Sequence, residues 1–150
     1  MIDIYTDGSC LKNPGPGGWA GVGKYNETEV FVTCGGDGPK TTNNIMELTA
    51  VIRSLEMAYT EYGFQKAKIY TDSSYVKNGI TQWVYRWEQN GWKTSQGSDV
   101  KNKKLWKTLV NLVDKFNKVE WQWVKAHNGN LLNEKVDKLA RQCATEISSS

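Results

Sequence analysis

A chain of 150 residues and 17.0 kDa is one domain's worth of polypeptide, long enough to bury about two-thirds of its unfolded surface. With 39% hydrophobic and 23% charged residues and a mean hydropathy of −0.59, it excludes the disordered and fibrous classes. The net charge is only +3, but the segment from Tyr75 to Lys118 holds nine basic residues against three acidic ones, which leaves the rest of the chain acidic. No apolar run approaches the about 20 residues of a bilayer span. The start, Met1 to Asp7, lacks the basic and apolar segments of a secretory leader, so a cytoplasmic chain with no membrane partner is expected. Three cysteines, Cys10, Cys34 and Cys143, beside one histidine exclude a disulfide scaffold or zinc ribbon, and buried structural thiols are the default expectation.

In chain order, residues 2 to 7 predict a short strand, followed by a turn at Asn13-Pro14-Gly15-Pro16-Gly17-Gly18. Trp19 to Tyr25 and Val30 to Cys34 predict two more strands joined at Asn26-Glu27, and Gly35-Gly36-Asp37-Gly38-Pro39 predicts another turn. From about Asn44 to Tyr62, Leu48, Val51, Ile52, Leu55, Ala58, Tyr59 and Tyr62 recur at helical spacing before Gly63. Ala67 to Asp72 predicts a strand. Ser73 to Asn78 and Thr81 to Gln89 predict two short helices broken at Gly79, and Asn102 to Phe116 a longer one. Val119, Trp121 and Trp123 alternate as a last strand with one buried face. Asn133 is the expected cap of a final helix with the stripe Val136, Leu139, Ala140, Cys143 and Ile147, and Ser148-Ser149-Ser150 the expected frayed tail. A hairpin-built edge followed by crossover helices predicts an α/β fold, a five-stranded mixed sheet with helices on both faces and a crevice at the carboxyl ends of the parallel strands. Residues 1–150 read as a single domain with a basic, tryptophan-containing helical protrusion at about 80–100.

The strongest internal signal is an echo: Tyr5-Thr6-Asp7-Gly8-Ser9 and Tyr70-Thr71-Asp72-Ser73-Ser74 share a Tyr-Thr-Asp-x-Ser pattern at strand ends. A lone strand-end aspartate is ordinarily a turn former or a helix cap, whereas two matched ones on parallel neighbours would meet at one edge. Glu47, three residues after Asn44, reads either as half of a capping box or as a carboxylate leaving the helix start toward that edge. Asp137, expected in the first turn of the last helix, carries the same ambiguity. Two carboxylates at ~4 Å repel by about 4 kcal/mol at an effective dielectric near 20, so four together require cations. All-oxygen ligation selects a hard ion such as Mg²⁺, and two ions ~4 Å apart suit phosphodiester hydrolysis. His127, the only histidine, lies in the polar loop before the last helix, where it is either simply solvated or placed to handle a proton. Trp83, Trp87, Trp92 and Trp106 fall in the basic third, either as a helical core or as part of a polyanion groove with stacking rings.

With Asp7-Gly8-Ser9, the Asn13 to Gly18 run, Thr41-Thr42-Asn43-Asn44-Ile45-Met46-Glu47-Leu48, Thr71-Asp72-Ser73, Gly79-Ile80-Thr81-Gln82-Trp83, Asn90-Gly91-Trp92-Lys93 and Asn133-Glu134-x-x-Asp137-x-Leu139-Ala140, the chain closely resembles bacterial-type ribonuclease H, type 1, from about Ile2 to Thr145. The resemblance implies a monomeric endonuclease that cleaves the RNA strand of RNA/DNA hybrids with two Mg²⁺ or Mn²⁺ ions, leaving 5′-phosphate and 3′-hydroxyl ends. It implies that Asp7, Glu47, Asp72 and Asp137 are the metal-binding catalytic carboxylates and His127 the proton-handling residue. Asn13, Asn43 and Asn44 resemble the residues that meet the RNA minor groove and its 2′-hydroxyls. Thr42 with Asn13 resembles the pocket for a DNA phosphate, Trp83, Trp87 and Trp92 the protrusion beside the DNA strand, and Ser74 and Asn133 further substrate contacts. Only the 2′-hydroxyl, donor and acceptor at once, separates RNA from DNA at a given site, and carboxamides can pair with it.

Departures from the family pattern carry expectations of their own. Ser74 replaces a longer glutamine, the loop Asn128 to Asn133 lacks a proline, and Glu88 and Gln89 thin the charge of the protrusion, which implies weaker hybrid affinity and a shallower salt slope. No hybrid-binding domain precedes Met1, so a free-standing enzyme is expected. The alternative is a metal-dependent DNA nuclease or strand transferase of the same fold, and a third reading, a non-catalytic nucleic-acid binder, is disfavoured by the full carboxylate set.

Overall fold

The computed structural model describes residues 1–125 and 130–149. Strand β1 (Ile2–Cys10) alternates apolar and polar residues. It pairs antiparallel with β2 (Gly15–Tyr25), which turns back through Asn26 and Glu27 into β3 (Thr28–Thr41). Both turn residues have positive φ, 51° and 64°, the backbone of the primed two-residue turn that matches strand twist. Helix α1 (Asn43–Glu56) continues through one wider π-helical turn (Met57–Glu61) before β4 (Lys66–Thr71), which lies parallel to β1. Helix α2 (Ser74–Asn78), a second π-helical turn (Gly79–Trp83) and α3 (Val84–Gln89) lead to α4 (Lys103–Lys115), the parallel edge strand β5 (Lys118–Trp123) and α5 (Leu131–Ser148). The sheet order is β3-β2-β1-β4-β5.

Strand alternation divides the residues between two layers. Ile2, Ile4 and Ile69 point to one face, where they pack with Leu48, Val51 and Leu55 of α1 and with Trp106 of α4. Ala20 and Val22 point to the other, against Val136 and Ala140 of α5. The expected five-stranded mixed sheet with helices on both faces is therefore the observed one.

Several local expectations are corrected. Gly35 to Pro39 is not a turn but part of β3. Its glycines are spacers, because a Cβ on Gly36 would sit 3.0 Å from the Cys143 carbonyl oxygen and 3.1 Å from Ile147 Cδ1, so a side chain there would push α5 off the sheet. The Asn13 to Gly18 run turns only as far as Pro14, and β2 already begins at Gly15. Gly79 does not break the helical segment, which continues through it with the glycine lying against the Trp106 ring. Helix α1 is capped by Thr42, whose Oγ1 accepts from the Ile45 N–H at 3.1 Å, and not by Asn44. Helix α5 is capped by Asn130, whose Oδ1 accepts from the Leu132 and Asn133 N–H groups, and not by Asn133. Trp123, expected on a buried face, is 42% exposed because β5 is an edge strand. None of the three thiols is buried: Cys34 is exposed, and Cys10 and Cys143 are half-buried.

Candidate active site

The Tyr-Thr-Asp echo is a statement of register. Ile4 pairs with Ile69 and Tyr5 with Tyr70 across the parallel β1–β4 ladder, and the two tyrosine rings stack with centroids 4.4 Å apart. Two residues beyond each tyrosine stand Asp7, still on β1, and Asp72, just past the end of β4. Glu47 reaches them because α1 crosses directly over Gly8: a Cβ there would collide with the backbone of Met46 and Glu47. Helix and strand thus approach as closely as backbones can, and oxygens of Asp7, Glu47 and Asp72 lie within 4.8 Å of one another.

Asp7 is 6% exposed and Glu47 9%. Burial first, then the charge of Asp72 and contact with Asp137, push the Asp7 carboxyl up to about 8 from its ordinary 3.8. Glu47 is held well above the carboxylate range, again by burial first and then by the charges of Asp7 and Asp72. Among the described residues, no lysine or arginine forms an ion pair with any of the three. Asp7 Oδ1 accepts the adjacent Gly8 N–H at 3.0 Å, and its carboxyl lies against those of Glu47 and Asp137. Asp137 joins them from α5, on the rim of a shallow hollow lined also by Thr6, Asp7, Asp72, Lys125, Asn133 and Glu134. Its carboxylate is gripped by Arg141, one turn along the helix, at 2.9 Å.

Two positional expectations change here. Glu47 is the fifth residue of α1 and Asp137 the seventh of α5, so neither is a first-turn residue acting on the helix dipole. The first-turn acid of α5 is Glu134, which shares the hollow with Asp137. Sequence reading missed Lys125 and Glu134. The usable signal was the three-residue spacing of Glu134 and Asp137, which puts both on one helix face. His127 lies outside the described residues.

The expected substrate residues form two further groups. Asn13, Thr42, Asn43 and Asn44 gather at the start of α1, where Asn13 Oδ1 accepts from the Asn43 N–H at 3.3 Å and so ties the β1–β2 loop to the helix. Ser74 is exposed in the first turn of α2, and Asn133 is half-buried at the hollow. The tryptophans pack against one another. Trp87 contacts Trp83, Trp92 and Trp106 at centroid distances of 6.0, 5.8 and 5.5 Å. Trp106 is fully buried, and its Nε1–H donates to the Tyr75 hydroxyl at 2.9 Å. Only Trp83 keeps 37% of its surface exposed. The helical-core reading of these rings describes their packing, with the outer edge of the group facing solvent beside lysines. Two of those, Lys93 and Lys103, pair with Asp99 at 2.6 and 3.6 Å.

A sheet of this order, with acidic side chains gathered where its central parallel strands end, defines the ribonuclease H-like fold class. The chain belongs to the RNase H family, whose sequence model matches residues 1–145. It is 51% identical over 140 residues to a protein of Ehrlichia ruminantium (strain Gardel) named Ribonuclease H, a match covering 93% of this chain and 92% of the relative. It is 49% identical over 141 residues to a Ribonuclease HI of Xylella fastidiosa, covering 94% and 90%. Among solved structures, LC9-RNase H1, described as a type 1 RNase H with the type 2 active-site motif, superposes with a TM-score of 0.80 at 33% identity, over 97% of this chain and 72% of that one.

Proposed function

We propose that this protein is an endonuclease that hydrolyses the RNA strand of RNA/DNA hybrids, leaving 5′-phosphate and 3′-hydroxyl ends, with Asp7, Glu47, Asp72 and Asp137 holding two Mg²⁺ or Mn²⁺ ions. In this reading residues 1–150 act as one catalytic domain, monomeric and cytoplasmic. The observation that carries it is the convergence of three carboxylates within 4.8 Å, two of them buried and the third half-buried, none of which is ion-paired to a lysine or arginine among the described residues. Such a nest is tolerable only when protonated or metal-loaded, and its all-oxygen donor set fits a hard divalent ion rather than zinc. Bound there, the ions supply charge neutralisation at the phosphodiester and a more acidic water.

The chain's own residues do the rest. Asp7 lies on β1 and Asp72 directly follows β4, two residues beyond the last pair of the parallel ladder, Tyr5 with Tyr70, which brings the two together. Arg141 holds the Asp137 carboxylate in one orientation. Asn43 and Asn44 present carboxamides at the N-terminus of α1, able to donate to and accept from a ribose 2′-hydroxyl, while Asn13 and Thr42 stand beside the helix N–H groups that favour a phosphate. Ser74 and Asn133 flank the carboxylates, and Trp83 leads a tryptophan wall, with Trp87 and Trp92 behind it, for the partner strand. His127 carries a proton to or from the reacting oxygens. The test is incubation with labelled RNA/DNA hybrid, duplex DNA and duplex RNA, with and without Mg²⁺. Mg²⁺-dependent cleavage of the hybrid's RNA strand alone is expected, and cleavage of duplex DNA, or binding with no cleavage, overturns the proposal.

A further inference from the structure

Strand parity places a second pair of reactive side chains far from the carboxylates. Cys34 on β3 stands directly across from Ala20 on β2, and Ala20 packs on Val136 and Ala140 of α5. Residues opposite each other in an antiparallel ladder share a face, so Cys34 faces the side that α5 covers. Cys143 follows Ala140 by three residues, one turn further on the same helix face.

The backbones meet closely at this point. A Cβ on Gly18 would lie 3.0 Å from the Cβ of Cys143, and one on Gly36, two residues from Cys34 on the same face, 3.0 Å from the Cys143 carbonyl oxygen. The Cys34 and Cys143 thiols are neighbours, and burial first, then the adjacent Cys34 thiol and the Glu146 charge, push Cys143 up to about 11, so it rests protonated. Cys34 is solvent-exposed. Cys10 is engaged elsewhere, its Sγ–H directed at the carbonyls of Lys12, Gly15 and Thr41.

We propose that Cys34 and Cys143 form a thiol–disulfide exchange site that, on reaction with a small-molecule disulfide such as oxidised glutathione, closes a bridge fastening α5 to edge strand β3. The Cys34 thiolate attacks one sulfur of the oxidant, its S–S bond breaks, and the first glutathione leaves as a thiol. Cys143 then gives up its proton and attacks the Cys34 sulfur, releasing the second glutathione. Two protein thiols are oxidised and one disulfide is reduced to two thiols, so atoms and electrons balance. The bridge spans more than a hundred residues of sequence, the range in which a crosslink removes most conformational freedom from the unfolded chain. It would add to the Lys135–Glu29 ion pair of 2.9 Å, which already ties α5 to β3.

The experiment equilibrates the full chain in glutathione buffers from reducing to oxidising, quenches with acid and alkylating agent, and reads intact mass, linked peptides and melting temperature. The expected result is loss of two hydrogens, a peptide joining Cys34 to Cys143 with Cys10 alkylated, and a rise of Tm by roughly 5 to 10 °C that dithiothreitol reverses. C34S and C143S should each abolish the shift, and C10S should keep it. The wild-type mass reads the outcome without relying on any variant. A glutathione adduct persisting on Cys34 without ring closure, a bridge to Cys10, or a bridge that leaves Tm unmoved would each overturn the proposal.

Discussion

Replacing Asp7 by Asn removes one charge from the carboxylate nest while keeping its shape, since an amide oxygen can still accept the Gly8 N–H that the native Oδ1 accepts at 3.0 Å. The native group is 6% exposed, and its proton affinity rises from 3.8 to about 8. At about 1.4 kcal/mol per tenfold change in proton affinity, that rise sets an upper limit of roughly 6 kcal/mol on the strain the ionised group imposes on the metal-free fold. Protons taken up by Glu47 relieve part of it, so the expected gain for the variant is roughly 1 to 3 kcal/mol, or about 3 to 10 °C in Tm for a chain of this size. The sign follows from linkage. Between about pH 4 and about pH 8 the folded protein holds the Asp7 proton that the unfolded chain has released, so native stability falls as pH rises through that window. The variant lacks that slope, and the gap between the two proteins should be near zero at about pH 4 and level off above about pH 8. Thermal denaturation in the presence of a chelator across this window measures it, and added Mg²⁺ should stabilise the native protein more than the variant. Turnover of hybrid should vanish in the variant. A variant less stable than the native protein at the alkaline end, or a gap that does not change with pH, would refute the electrostatic account of the cluster.

Other perturbations test other parts of the argument. His127→Ala should slow hybrid cleavage while leaving Mg²⁺-dependent stabilisation intact, and an unchanged rate would remove the histidine from the mechanism. Gly79→Ala would drive a methyl group into the Trp106 ring. The fold should lose roughly 1 to 3 kcal/mol, seen as a lower urea midpoint. Arg141→Ala breaks a 2.9 Å ion pair between partly exposed side chains, so stability should change by less than about 1 kcal/mol. Turnover should fall in that variant because Asp137 loses its fixed orientation, and an unaltered kcat would show that the pair does not position the carboxylate.

Much of this architecture was legible because its signals are periodic. The 3.6-residue recurrence of Leu48, Val51, Ile52 and Leu55 marks α1, and all four are buried. The repeated Tyr-Thr-Asp pointed to a shared edge on the condition that the two strands are parallel neighbours, which the β1–β4 ladder makes them. Failures fell where local rules lost to tertiary packing. Gly35 to Gly38 carries turn chemistry, yet the segment stays extended because the approach of α5 needs bare backbone there. Asn44 and Asn133 suit caps by type, but Thr42 and Asn130 sit at the geometric helix starts, and caps are set by where the chain enters the helix. The tryptophans show a limit of composition. Lysines among aromatics suggested a groove, whereas Trp83, Trp87 and Trp92 pack ring against ring toward the buried Trp106.

The geometry of the carboxylates and the burial of the core are specified by one and the same alternation. On β1, Ile2 and Ile4 face α1 while Tyr5 and Asp7 face α5, and on β4 Ala67 and Ile69 divide from Tyr70 in the same way. A slip of one residue in either strand would turn its aspartate into the apolar layer and an isoleucine out of it. Burying an unpaired carboxylate there costs several kcal/mol, and losing the burial of one isoleucine costs about 1.5 to 3 kcal/mol more. The Tyr5–Tyr70 stack, with the Tyr70 hydroxyl donating to Asp3 at 3.2 Å, reinforces the same register. The repulsion between Asp7 and Asp72 therefore cannot relax by sliding the strands. What remains is to take up protons or to bind a cation, which is how a cluster of carboxylates held at this spacing can be accommodated.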